Sequence, residues 1–191
     1  MTTVKALQVL IGLRKKDQVV ITIQGSSREW PKLTNHSLDF HFLPSAMGAA
    51  IPLGLGIASA QPSREVIVVS GDGSLLMNLG CLVTVAGSGA TNLTVVLLDN
   101  GVYAVTGGQK TAGNEAGVDF VGLAKASGIC NACEFEQLGE WESCAKDFLK
   151  SDGPRFVRLA VWAEHHQLGA VKLYPISQRV ERFRDAVGRI H

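Results

Sequence analysis

The stretch from Arg64 to Tyr103 leaves the chain few folds to choose from. Glu65-Val66-Ile67-Val68-Val69 opens it with an apolar, β-branched run, short enough to be a strand buried on both faces. Gly71-Asp72-Gly73 ends that run. From Ser74 to about Gly87, Leu75, Leu76, Leu79, Leu82, Val83 and Ala86 recur at helical spacing. A second buried run, Leu93 to Leu98, stops at Asp99-Asn100-Gly101. Two buried strands joined by a helix lie parallel, so Asp72 and Asn100 arrive side by side at the strands' carboxyl ends. That edge is where such sheets bind ligands.

The residue types at the edge suggest a chemistry. Asp72 offers a carboxylate and Asn100 a neutral carbonyl oxygen, both hard ligands for Mg²⁺ or Ca²⁺. They are too few to cage Mg²⁺, which shares its coordination sphere with phosphates instead. Gly71 and Gly73 let a phosphate approach the backbone, and Ser74 with the free amides of the helix start can donate to it. The pattern reads as a magnesium-bridged diphosphate site. The alternative is a tight strand–helix turn in a ligand-free α/β domain, because Asp-Gly is common in turns.

The rest of the chain fits an alternating pattern. MTTVKALQVLIGLRKK reads as a short amphipathic helix, and Gln18 to Ile23 as a buried strand running into Gly25-Ser26-Ser27-Arg28-Glu29. Ser26 and Ser27 either donate to phosphate or cap a following turn. Leu43 to Ala60 reads as a Gly/Ala-rich helix, capped by Ser45 and kinked at Pro52. Residues 104–117 read as a long loop beside the site. Helices are expected at 118–127, 138–150 and 175–190, and strands at 133–135 and 156–161. The fold class expected is α/β: one domain over 1–191, a doubly wound, mostly parallel sheet with helices on both faces.

Composition narrows the function classes. A net charge of +1 without a basic run gives no reason to expect nucleic acid as a partner. No segment approaches the ~18 apolar residues of a membrane span. A chain with reduced thiols and no recognisable leader is expected in the cytoplasm. Cys81 falls on a helix as core filler; Cys130 and Cys133 have the spacing of a redox or metal pair, but no second pair follows. His41 stands ahead of the Gly/Ala-rich helix, within reach of substrate, whereas His165 and His166 fall in a charged turn. No pattern for zinc and no G-x-S-x-G turn is present.

The GDGS motif, with Asn100 following Asp72 by 28 positions, resembles the signature of thiamine diphosphate (ThDP) enzymes. The resemblance implies the diphosphate-binding (PP-type) domain of that family, with Asp72, Asn100 and the Val102 carbonyl ligating Mg²⁺. Asp99 stands where the family has a first Asn. Ser26, Ser27, Gly71, Gly73, Ser74 and the Tyr103 amide would surround the diphosphate. Met47 matches the apolar residue that wedges the cofactor rings into a bent shape, unless it is plain core filler. The Ser45 carbonyl would accept the pyrimidine amine. LDNGVYAVTGGQKTA and GDGSLLMNLGCLVTVA are most similar to the phosphonopyruvate and sulfopyruvate decarboxylases. In that subgroup Arg28, Thr106, Gly107 and Gln109 would meet a dianionic 2-oxo acid, though a surface salt bridge suits Arg28 equally. The implied reaction releases CO₂ and an aldehyde. The family's pyrimidine domain, with its activating glutamate, has no room here and is expected on a partner α subunit, in a hetero-oligomer such as α2β2 or larger. The chain alone is expected to hold cofactor weakly. Another split ThDP enzyme, acetolactate synthase-like or a 2-oxoacid oxidoreductase, and a non-catalytic cofactor-binding subunit are the alternatives.

Overall fold

A computed structural model describes residues 1–44, 46–163 and 173–188. The chain runs α1 (Thr3–Leu13), β1 (Val19–Ile23), α2 (Gly25–Leu33), β2 (Asp39–Phe42), α3 (Ala50–Ala60), β3 (Val66–Gly71), α4 (Asp72–Leu76), α5 (Cys81–Ser88) and β4 (Leu93–Asp99). It continues through β5 (Val102–Tyr103), β6 (Gln109–Lys110), α6 (Ala112–Ala116), α7 (Phe120–Ala126), β7 (Asn131–Phe135), α8 (Leu138–Phe148), β8 (Arg155–Ala160) and α9 (Ile176–Gly188).

Among the described residues, six strands form a parallel sheet in the order β2-β1-β3-β4-β8-β7. The β-branched runs sit at its centre because both faces there are covered, so neither tolerates a polar side chain. One row across the sheet pairs Ile21 with Val68, Val68 with Val95 and Val95 with Phe156. That row faces a core shared with Ile51, Leu82 and Ala124 of α3, α5 and α7. The opposite face, with Val69, Val96 and Val157, packs on Leu7, Trp30 and Trp141 of α1, α2 and α8. Both indoles are fully buried with their N–H groups paired, Trp30 to Asp39 Oδ2 at 3.0 Å and Trp141 to the Ala6 carbonyl at 3.2 Å.

Two structural details bear on the site. From β1 the chain steps outward to β2, then returns to β3 on β1's other side, so the connections diverge above β1 and β3 and leave a crevice between them. At the far edge, α9 carries no buried residue. Its Phe183 ring stands 5.0 Å from Phe40, and the Arg179 guanidinium donates to the carbonyls of His41 and Leu43.

Several expectations are corrected. The helix read from Leu43 begins only at Ala50, and Ser45 lies outside the described residues. Pro52 causes no kink: it falls in the first turn, where its missing N–H has no intrahelical partner to lose. The crossover helix is split into α4 and α5 at residues 77–80, with Gly80 opening the second piece. The serines after β1 start helix α2 rather than a loop, and a further strand, β2, lies where Leu38, Phe40 and Phe42 alternate with Asp39 and His41, a period-2 signal that sequence reasoning passed over. Residues 104–117 are not a bare loop, because the β5–β6 hairpin and α6 lie within 102–116.

Candidate active site

An open crevice of about 670 Å³ lies over the carboxyl ends of β1, β3 and β4, with Trp162 after β8 at its rim. Gly71, Asp72, Gly73, Ser74, Asn100, Val102, Tyr103 and Met47 all line it, so the fold brings these expected site residues together.

Asp72 is 2% exposed and, among the described residues, has no cationic side chain paired with it. Burial, with repulsion from Asp99, pushes its carboxyl up to about 6; the Thr111 hydroxyl and the Gly73 and Asn100 amides pull the other way. A buried carboxylate without a counter-charge is a donor that fits a cation. Asp99 itself is occupied by Arg158, whose Nε lies 2.6 Å from its Oδ2. Asn100 folds back as Oδ1 accepts the Val102 N–H at 3.0 Å, a turn that Gly101 closes with φ +70°. Carboxylate, amide oxygen and the Val102 carbonyl make an all-oxygen set that fits Mg²⁺ sharing its sphere with phosphate. Gly73 is sterically required: a Cβ there would stand 2.4 Å from the Tyr103 ring.

The turn carrying Met47 is held from α4 and the residues after it. The Gly48 amide donates to Ser74 Oγ at 2.9 Å, and Asn78 Nδ2 donates to the Gly48 carbonyl at 3.0 Å. Gly48 adopts φ +83°, and a Cβ on it would meet Asn78 Cβ at 2.8 Å. Ser74 Oγ thus accepts from the turn that carries Met47, while its amide remains at the start of α4. Opposite, Gln24 lines the crevice with φ +55°, a conformation costly for a non-glycine residue and typical of functional edges.

Other expected residues are placed differently. Ser26 lines the crevice, but its hydroxyl is engaged with the Ile23 and Val69 carbonyls at 2.8 and 3.1 Å. Ser27 is turned away: its Oγ lies 3.0 Å from Thr22 Oγ1, which lies 2.8 Å from His41 Nδ1. Neither His41 nor Arg28 is among the lining residues. Thr106 and Gln109 bond each other at the exposed hairpin, Thr106 Oγ1 donating to Gln109 Oε1 at 3.2 Å, with Gly107 at φ +124° between them. His165 and His166 lie outside the described residues. Cys81 is buried in the core, while Cys130 is exposed and Cys133 half-buried.

His41 gives a pH prediction. Burial, then the positive charge of Arg179 and Arg14, lowers it to about 4 from an ordinary 6.5. The unfolded chain takes up the proton first, so stability falls as pH drops from 6.5 toward 4, by roughly 1–2 kcal/mol at pH 5. Asp72, held near 6, works in the opposite direction below that pH. The readout is therefore a difference. Between pH 7 and 5, the melting temperature of His41→Asn should decline less than that of wild type, and parallel curves would remove His41 from the account.

Sequence reasoning passed over Gly48, Asn78, Thr111 and Trp162. Thr111 carried a signal, since threonine is a favoured helix N-cap, and its Oγ1 accepts the Asn114 amide at 3.3 Å. Asn78 carried none, because its partner is distant in sequence.

A family model described as thiamine pyrophosphate enzyme, C-terminal TPP binding domain, matches residues 24–159. Phosphonopyruvate decarboxylase of Streptomyces viridochromogenes is 37% identical over 185 residues, 96% of this chain and 45% of that protein. Sulfopyruvate decarboxylase subunit beta of Methanothermobacter thermautotrophicus is 34% identical over 180 residues, 94% of this chain and 92% of the subunit. The chain thus spans less than half of the first and nearly all of the second. A solved thiamin diphosphate-dependent enzyme from Mycobacterium smegmatis has the same fold, with a TM-score of 0.71 over 85% of this chain and 32% of that one, at 24% identity. With the crevice geometry and a match over most of its length, this chain belongs to the thiamine pyrophosphate enzymes and carries their C-terminal TPP-binding domain.

Proposed function

We propose that the chain is the diphosphate-binding subunit of a two-chain, Mg²⁺-dependent 2-oxo acid decarboxylase whose substrate carries an acidic group on C3, as in sulfopyruvate or phosphonopyruvate. The observation carrying this reading is the end-to-end likeness to a separately encoded beta subunit, 94% of one chain on 92% of the other. A second observation agrees: among the described residues, Asp72 is the only carboxylate that lines the crevice. With that group holding metal, no further carboxylate among the described lining residues is free to activate a cofactor, which fits an acid supplied by a partner chain.

The residues divide the work by position. Asp72, Asn100 and the Val102 carbonyl would hold Mg²⁺ against the diphosphate, and the amides of Gly73 and Ser74 at the start of α4 would donate to its oxygens. Met47, fixed through Gly48, would support the rings. Val105 and Trp162 line the crevice and would offer apolar surface to the bound cofactor and substrate. When bound, thiamine diphosphate supplies the electron sink that lets a 2-oxo acid lose CO₂ and leave as an aldehyde. Arg28 and the Thr106–Gln109 hairpin would meet the acidic group only if partner docking or loading brings them over the crevice.

The test is reconstitution with a pyrimidine-domain subunit. Sulfopyruvate or phosphonopyruvate should give CO₂ and aldehyde well ahead of pyruvate, with neither chain active alone. Acetolactate from pyruvate, or reduction of an electron acceptor in place of aldehyde release, would move the chain to another split enzyme. Cofactor uptake without turnover of any 2-oxo acid would make it a binding subunit.

A further inference from the structure

We infer that Thr111 is the positioning residue of the metal site, fixing the Asp72 carboxylate from the far end of the β5–β6 hairpin; this rests on the assignment of Asp72 to Mg²⁺ above. Thr111 is wholly buried, and its Oγ1 donates to Asp72 Oδ2 at 3.0 Å. A hydroxyl has one proton, and here the acceptor is a carboxylate that the fold has taken out of water. The same residue also holds the other side of the site. Its amide donates to the Gly101 carbonyl at 2.9 Å, and Gly101 lies between Asn100 and Val102. Asn114, whose amide Thr111 caps, donates through Nδ2 to that carbonyl at 3.3 Å. Val102 pairs with Lys110 and Tyr103 with Gln109, so the hairpin delivers Thr111 back to the turn it left.

All three expected metal-ligand positions are therefore referred to one residue: Asp72 through its hydroxyl, Asn100 and Val102 through the bond of its backbone amide to Gly101. With Oδ2 engaged, rotation of the Asp72 carboxylate is fixed before metal arrives. Removing such an outer partner of a ligating carboxylate typically weakens metal binding by about 10–100-fold. Replacing the hydroxyl by a methyl nearly keeps the volume and removes both the donor to Asp72 and the acceptor that caps α6.

The experiment is calorimetric titration of Mg²⁺ at saturating ThDP into the chain paired with its pyrimidine-domain subunit. Thr111→Val should raise the Mg²⁺ dissociation constant by about 10–100-fold. Thr111→Ser, which keeps the hydroxyl, should stay within about threefold of wild type, since the donor bond survives. The metal-free melting temperature of Thr111→Ser should remain close to that of wild type, while Thr111→Val, which also loses the cap of α6, should melt about 2–4 °C lower. Unchanged Mg²⁺ affinity in Thr111→Val overturns the inference, and so does equal weakening in both variants, which would make the role one of packing. Should Thr111→Val fail to fold, Thr111→Ala read against Thr111→Ser carries the same comparison. If Asp72→Asn binds Mg²⁺ as wild type does, the assignment of metal to Asp72 has failed instead, an outcome separate from any behaviour of Thr111.

Discussion

Asp72→Asn is expected to separate stability from cofactor binding, moving them in opposite directions. Metal and diphosphate affinity of the paired enzyme should fall by more than about 100-fold, since a direct ligand is lost rather than an outer one. The cofactor-free protein should melt no lower than wild type. Burial already opposes the charge on Asp72, and an amide of the same shape can accept from Thr111 without carrying that charge. Differential scanning calorimetry of the bare chain, beside a ThDP and Mg²⁺ titration of the complex, reads both halves. A variant that loads normally, or that unfolds well below wild type, would contradict this account of the site.

The second large effect is structural. Gly54 lies where α3 crosses the sheet, and a Cβ there would stand 2.1 Å from Val68 Cγ2 and 3.6 Å from Ile21 Cδ1. Gly54→Val therefore forces branched carbons into the middle of the central row of strands, where helix and sheet have no slack. Overpacking of this kind costs about 3 kcal/mol. For a chain of this length that lowers the melting temperature by roughly 6–12 °C. Gly56, on the same helix, has nothing within 4 Å of its added Cβ and is the control. Its alanine variant should melt at or above wild type, because alanine favours the helix. Similar melting of Gly54→Val and wild type would mean that α3 stands farther from the sheet than described.

Both predictions concern residues whose surroundings differ in how far the sequence reveals them. Asp72 was readable because strand, turn and helix follow one another directly, so a short-range pattern sets the position of the carboxylate. The same holds for the buried runs of β3 and β4, where β-branched residues without alternation already mean two covered faces. Gly54 was readable only as part of a small-residue helix. Which glycine touches the sheet depends on the rotation of α3, and periodicity is weak where almost every residue is apolar or small. The start of α3 was misplaced for a related reason: propensity favours a helix from Leu43, but bonds from Ser74 and Asn78 bend residues 46–48 into a turn. Such bonds span 26 and 30 residues and leave no local trace. Ser27 and His41 were assigned to the crevice on sequence position alone. Their side chains instead meet through Thr22 on the α2 side of the sheet, because Thr22 and His41 are paired in register.

The Arg179 fork has a consequence for breathing motions. Helix α9 has no buried residue, so its amides should be among the first to exchange with solvent, long before the β-core opens. Yet that guanidinium is what grips the backbone of His41 and Leu43, a few residues upstream of Met47. The backbone at the end of β2 is therefore gripped by a helix with no buried residue, and fraying of α9 would release His41 and Leu43 while the sheet, and the turn that Ser74 and Asn78 hold, stay closed.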